Sequence, residues 1–368
     1  MKLKRVCALM TAAATAVSLF AGCGQTSGTD NTTETATVSD TDSVDSEEEY
    51  WYVIDTTNNL SNPNATKEAC ALYNFICDMQ GQYVISGQQE NCSQNAMADM
   101  QIIQSDSGKL PAIRGLDFIN DGFDTAVLHA ESWWRLNGIV TIAWHMGVPG
   151  TEEGYESSQG SFDIEAALTE GTEEHELLMA EFDKAVPALQ QLEDEGIPVL
   201  WRPFHEFDGG WFWWGKGTNG QNANTQFIAL WQLMYDYYTN EKGLDNLIWV
   251  LGYSGSIKSD WYPGDEYVDI IGADTYGHDD SYSSMFKHLG EAVSDSKPRC
   301  LHECGYLPDP DAMVEEESMW SWFMLWYGDY LNNDYNSEEY VNKVYNSEAV
   351  LTLDELPKLT EQLQSLGE

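Results

Sequence analysis

Two segments of this chain run from an apolar stretch into a histidine–glutamate pair. Ile197-Pro-Val-Leu200 leads into Trp201-Arg202-Pro203-Phe204-His205-Glu206, then into Asp208-Gly-Gly-Trp211-Phe-Trp213-Trp214-Gly215. Further along, Pro298-Arg-Cys-Leu301-His302-Glu303-Cys-Gly305-Tyr306 repeats the arrangement. A carboxyl group at the mouth of a strand can move protons or attack carbon, and flat aromatic faces stack on pyranose rings. Two strand-end glutamates are the minimum equipment for hydrolysing a glycosidic bond.

Such groups need a scaffold that brings distant strand ends together. Apolar, β-branched-rich runs recur at 82–87, 111–118, 139–147, 197–206, 247–253, 268–276, 299–305 and 320–327, and amphipathic stretches such as 173–195 and 224–241 lie between them. Alternating buried strands and helices predict parallel βαβ units. Eight of them predict an α/β fold closed as a (β/α)8 TIM barrel, whose catalytic groups sit at the C-terminal strand ends. The last run, rich in tryptophan, fits a helix as well as a strand, and 353–366 is expected to be a closing helix. The strand ends offer Gln88, Gln89, Glu90, Asp117, His145, His205, Glu206, Asp274, Tyr276, His302, Glu303, Trp326 and Tyr327. Alternation puts Asp274 and Tyr276 on one face, and Arg202, Phe204 and Glu206 on one face, with His205 nominally opposite unless a bulge re-aims it. The 148–171 segment after the third strand reads equally as a cleft wall or a disordered loop.

The rest of the chain sets the context. Lys2, Lys4 and Arg5 precede an apolar run from Val6 to Phe20, and Leu19-Phe20-Ala21-Gly22-Cys23 resembles a bacterial lipobox. Residues 1–22 are therefore expected to be a lipoprotein signal peptide, with cleavage before Cys23 and lipid on its thiol. Residues 23–49, rich in Ser, Thr, Asp and Glu, are expected to form a disordered acidic linker. The catalytic domain is expected over 50–368. The predicted location is extracellular, lipid-anchored to the outer face of a bacterial cell membrane, with no other membrane contact, as a monomer. A formal charge of −44 argues against nucleic acid and polyanionic substrates and is compatible with a neutral glycan. Cys70, Cys77, Cys92, Cys300 and Cys304 read as mostly free, buried thiols.

The fourth-strand motif Arg202-Pro203-x-His205-Glu206, the Gly-Trp211-Phe-Trp-Trp-Gly215 run and the later Glu303-x-Gly305 together resemble glycoside hydrolase family 26, on its endo-β-1,4-mannanase branch. Ser86-Gly87-Gln88-Gln89, Trp144-His145, Asn246-Leu-Ile-Trp249, Asp260-Trp-Tyr-Pro-Gly264 and Asp274-Thr-Tyr276 extend the likeness from about Val53 to Trp326. The resemblance implies a retaining hydrolase acting on mannan-type polysaccharides, with Glu206 as acid/base and Glu303 as nucleophile, their carboxyls about 5–5.5 Å apart. Glu206 must then hold a proton while Glu303 stays ionised. It further implies that His145, His205, Trp211, Tyr276 and Trp326 contact substrate, and that Arg202 and Asp274 support the site.

Family 26 also holds enzymes cutting mixed-linkage β-glucan and β-1,3-xylan. A lipid-anchored, tryptophan-rich protein could also be a non-catalytic oligosaccharide-binding lipoprotein, but such a binder needs no paired strand-end carboxylates. Neither His-Glu dipeptide has His-x3-His helical spacing, so no catalytic metal and no cofactor are expected. Arg114, Asp117 and Gln88-Gln89-Glu90 read as structural, and Trp213, Trp214, Trp231 and Trp249 as core.

Overall fold

Eight strands pair in sequence order and in parallel: β1 (Val84–Gln89), β2 (Ile113–Asp117), β3 (Ile139–Trp144), β4 (Val199–Pro203), β5 (Leu247–Tyr253), β6 (Ile270–Thr275), β7 (Arg299–Cys304) and β8 (Trp322–Leu325). β8 returns to β1 through Ile85 and Trp322, which closes the sheet into a barrel. The strands are buried along nearly their whole length, and that is why they read as continuous apolar runs rather than alternating ones. The tryptophan-rich last run is a strand. The structure, a computed structural model, describes residues 50–92, 95–294 and 296–366. The proposed leader, Cys23 and the acidic linker lie outside the described residues.

Helices Ala98–Ser107, Phe123–Trp134, Glu173–Asp194, Ala223–Tyr235, Ser283–Ala292, Pro310–Glu315 and Glu338–Tyr345 carry the chain back between strands. The β5–β6 connection does without one: its described residues turn through two 3-10 segments, Ser259–Trp261 and Asp265–Tyr267. Helix Glu173–Asp194 shows how such an element is specified. Thr172 caps it by accepting from the His175 amide, and Glu173, Glu174 and Glu176 face the positive end of the helix dipole. Leu178, Phe182, Ala185, Leu189 and Leu192 recur at helical spacing and bury one face.

Three expectations change. The 224–241 helix is α-helical only to Tyr235 and widens into a π-turn over Asp236–Glu241. The closing helix is split into a 3-10 turn, Leu353–Glu355, and a helix, Leu359–Ser365, with Leu356 extended between them, the conformation favoured in the residue before a proline such as Pro357. Val350–Leu351 forms a ninth, two-residue strand beside Val84 and Ile85, and so short an element leaves no periodic signal. The five described cysteines are free, but Cys77 and Cys92 are exposed rather than buried.

Candidate active site

β4 ends at Pro203, and the backbone then turns twice through left-handed conformations that side chains rarely adopt. Phe204 has φ 50° and Glu206 φ 52°. Each such residue costs roughly 1–3 kcal/mol and persists where the surroundings enforce it. Here the first turn breaks strand alternation. Phe204 leaves the face it would share with Arg202 and packs outward against Phe182, Trp213 and Trp214. His205 takes the inward place instead, which corrects the nominal assignment of both residues. Glu206 is fixed by its amide, which donates to the Gly252 carbonyl at 2.8 Å. The indole Nε1 of Trp211 donates to its carboxylate at 2.6 Å. Gly209 is required there, because a Cβ would lie 2.1 Å from the Trp211 ring.

The tryptophan run divides its labour. Trp211 is partly exposed beside Glu206, whereas Trp213 and Trp214 are buried. Trp213 donates to the Met146 carbonyl and Trp214 to that of His205, so these two rings hold the backbone under the site. Trp231 and Trp249 are core.

β7 carries the second glutamate differently. A register shift against β6 places Ala273 opposite Leu301 and Asp274 opposite Glu303, leaving His302 as the extra residue. Glu303 is buried and held at both carboxylate oxygens. Arg202 Nη1 donates to Oε1 at 2.9 Å and the Tyr276 hydroxyl to Oε2 at 2.8 Å. Arg202 is itself held by Gln89 Oε1 at 3.0 Å and by the His302 Nδ1 lone pair at 3.0 Å. Burial pushes the Glu303 carboxyl above its usual range, with the Glu206 charge adding, while Arg202, His145 and the Tyr276 hydroxyl pull the other way. The Tyr276 hydroxyl is pushed far up, first by burial and then by the Glu303 carboxylate it serves.

Asp274 is buried beneath the pair, with His302 Nε2 4.0 Å from its Oδ1. Burial, and then the charges of Glu206 and Glu303, hold it well above the usual carboxylate range. A carboxyl so placed favours its protonated form, and neither of its oxygens has a hydrogen-bond partner among the described residues. On the opposite wall His145 Nε2 lies 3.1 Å from His205 Nε2, and His205 Nε2 lies 3.9 Å from Glu303 Oε1. The Trp326 ring stands 6.0 Å from that of His145.

These groups surround a cleft of about 340 Å³ at the C-terminal rim, lined by His145, Glu206, Tyr276, Glu303 and Trp326. The 148–171 segment is folded and serves as a wall, with Tyr155 in the cleft. A hollow of about 370 Å³ beside Glu68, Trp134 and Ile197 sits at the other end of the barrel and gathers none of these groups. Sequence reasoning missed His302 and Gln89 as holders of Arg202, and Tyr155 and Tyr330 as lining. Side-chain reach across the barrel, which no spacing reports, brings them in. Asp117, read as structural, lies in the cleft against His145; its position at the end of β2 was the available signal.

The family model for glycosyl hydrolase family 26 matches residues 61–355. The chain is 33% identical over 344 residues to a mannan endo-1,4-beta-mannosidase of Thermothelomyces thermophilus, covering 83% of this chain and 68% of that protein. It is 31% identical over 319 residues to mannan endo-1,4-beta-mannosidase B of Piromyces sp., covering 81% of this chain but only about half, 53%, of that protein. Among solved structures, a beta-mannanase from a symbiotic protist of the termite Reticulitermes speratus, complexed with gluco-manno-oligosaccharide, superposes with a TM-score of 0.73. The two are 32% identical over 83% of this chain and 99% of that one. Two strand-end carboxylates in one cleft, on a barrel matched through nearly all its length, make this chain a member of glycosyl hydrolase family 26.

Proposed function

We propose that the chain is a retaining endo-β-1,4-mannanase, with Glu303 as nucleophile and Glu206 as acid/base. The observation that carries this is the unequal treatment of two carboxylates in one cleft. Glu303 is clamped by Arg202 and Tyr276, whereas Glu206 meets one indole N–H and stays partly open to solvent. A clamped, guanidinium-paired carboxylate suits attack on carbon, and a less buried one can exchange protons with water. In the first step Glu303 attacks the anomeric carbon, Glu206 gives its proton to the departing oxygen, and the glycosidic bond breaks. In the second step Glu206 removes a proton from water, the new hydroxyl attacks the anomeric carbon, and the bond to Glu303 breaks. The β-configuration is kept and both carboxyls return to their starting states. Of the residues we assign to sugar binding, His145 and Trp326 line the cleft, Trp211 stands on Glu206 and His205 lies against His145, while Arg202 and Asp274 support the pair. Mannan is favoured as substrate because relatives that align with four fifths of the chain are named for it.

The test uses the domain from residue 50 onward on galactomannan, mixed-linkage β-glucan and β-1,3-xylan. Released reducing ends are compared with those of Glu303→Ala, and the anomer first formed is read by NMR. Mannan cleavage that gives the β-anomer and vanishes in the variant is the expected result. Cleavage of another glycan alone overturns the substrate, and an α-anomer overturns the mechanism. We further propose that Cys23 is lipidated and tethers a monomeric enzyme to the outer face of a bacterial membrane. The full-length chain should then partition into detergent phase, and Cys23→Ser should release it to the aqueous phase.

A further inference from the structure

The cleft contains an ionisable pair that the two-carboxylate mechanism leaves unused. The Asp117 carboxylate is almost completely buried and receives three N–H groups. The Ile119 amide donates to Oδ1 at 2.9 Å, the His145 amide donates to the same oxygen at 3.0 Å, and His145 Nδ1 faces Oδ2. One carboxylate thus fixes both the backbone and the ring of His145. With Nδ1 committed, the other ring nitrogen points at His205 Nε2, 3.1 Å away, which itself stands 3.9 Å from the Glu303 carboxylate. The four groups come from the ends of β2, β3, β4 and β7. No element of secondary structure aligns them, so the chain of contacts is specific to this packing.

We propose that Asp117 is a positioning residue for Glu303, holding His145 as a cation whose Nε2 proton is shared with His205. This rests on the reading of Glu303 as nucleophile. The charged and titratable groups facing His145 include Asp117, Glu303, Arg202, His205 and Tyr155, and the rings of Phe212 and Trp326 pack beside it. Burial works against a charge on His145, yet the two carboxylates outweigh it and hold the ring above its ordinary range. Asp117 is held low in spite of burial, by the same ring and by Arg202. His205 is held well below its ordinary range, first by burial and then by the His145 and Arg202 charges. These opposed directions favour the shared proton on His145. A cation there favours ionised Glu303, so its loss should move the nucleophile's protonation to higher pH.

The test is the pH profile of kcat/KM for Asp117→Asn, together with the imidazole ¹⁵N shifts of His145. The acid limb should move up by about one pH unit, the low end expected for removing an adjacent opposite charge. In a His145→Gln background the same substitution should add no further shift. An unmoved limb with uniformly lower activity reduces Asp117 to a structural brace and overturns the proposal. Should Asp117→Asn fail to fold, the wild-type spectrum decides alone. Both nitrogens of His145 protonated near neutral pH is expected, and a neutral ring there overturns it whatever Glu303 does.

Discussion

The ends of β4 and β7 present the same dipeptide, His-Glu, in opposite mechanical settings. At β4 the strand has already ended, and two left-handed residues swing His205 inward and set Glu206 on a turn, with one indole N–H for company. At β7 the strand continues through its bulge, and Glu303 is held at both oxygens inside the barrel mouth. In the proposed mechanism Glu206 gains and loses a proton in every cycle, which water and few fixed partners favour. Glu303 there meets carbon along a single line, which being unable to turn favours. The difference between the two ends is thus a difference in how many bonds hold each oxygen, not in residue type.

Substitutions can test that asymmetry. Glu303→Ala should lose on the order of 10⁴-fold or more in kcat on every substrate, since the proposed mechanism offers no other group to form the bond to carbon. Glu206→Ala should lose about 10²–10⁴-fold on mannan, yet far less in the first step on an aryl mannoside whose leaving group needs no proton. Equal losses on both substrates would erase the distinction. Tyr276→Phe removes one of the two bonds to Glu303 and should cost roughly 10–100-fold in kcat, the worth of a hydrogen bond to a charged group. It should also move the acid limb upward, because the hydroxyl favours the ionised carboxylate. In the wild type that limb should lie above the ordinary glutamate value of about 4.3, since burial holds Glu303 up, and activity should fall as pH drops through it.

The smallest effect concerns the buried carboxyl between the two ends. Asp274 is held above its ordinary range, so its contribution to stability is complete below the unfolded value and is lost as pH rises through the folded one. Asn cannot ionise. The Tm of Asp274→Asn relative to wild type should therefore climb from about pH 4 to about pH 8, while activity drops. A Tm difference independent of pH would show that Asp274 ionises normally.

Much of this was legible from residues alone. The eight strands could be read because a strand buried on both faces must be apolar throughout, and Trp213 and Trp214 could be assigned to the core. His205 could not, because alternation is a property of regular strands and β4 stops being one at Pro203. The contact of Asp117 with the next strand's histidine was hidden for a related reason, because composition at a strand end does not say which neighbour it meets. The split of the last helix, by contrast, was written in Pro357.

The sequence by itself determined the barrel and the two glutamates, since apolar continuity and the His-Glu motifs are local properties of the chain. Only the tertiary structure decided which carboxylate is clamped and which is left open. Arg202, Tyr276, His302 and Gln89 reach Glu303 and one another from four different strands or strand ends. Closing the barrel turns those separations along the chain into hydrogen-bond distances.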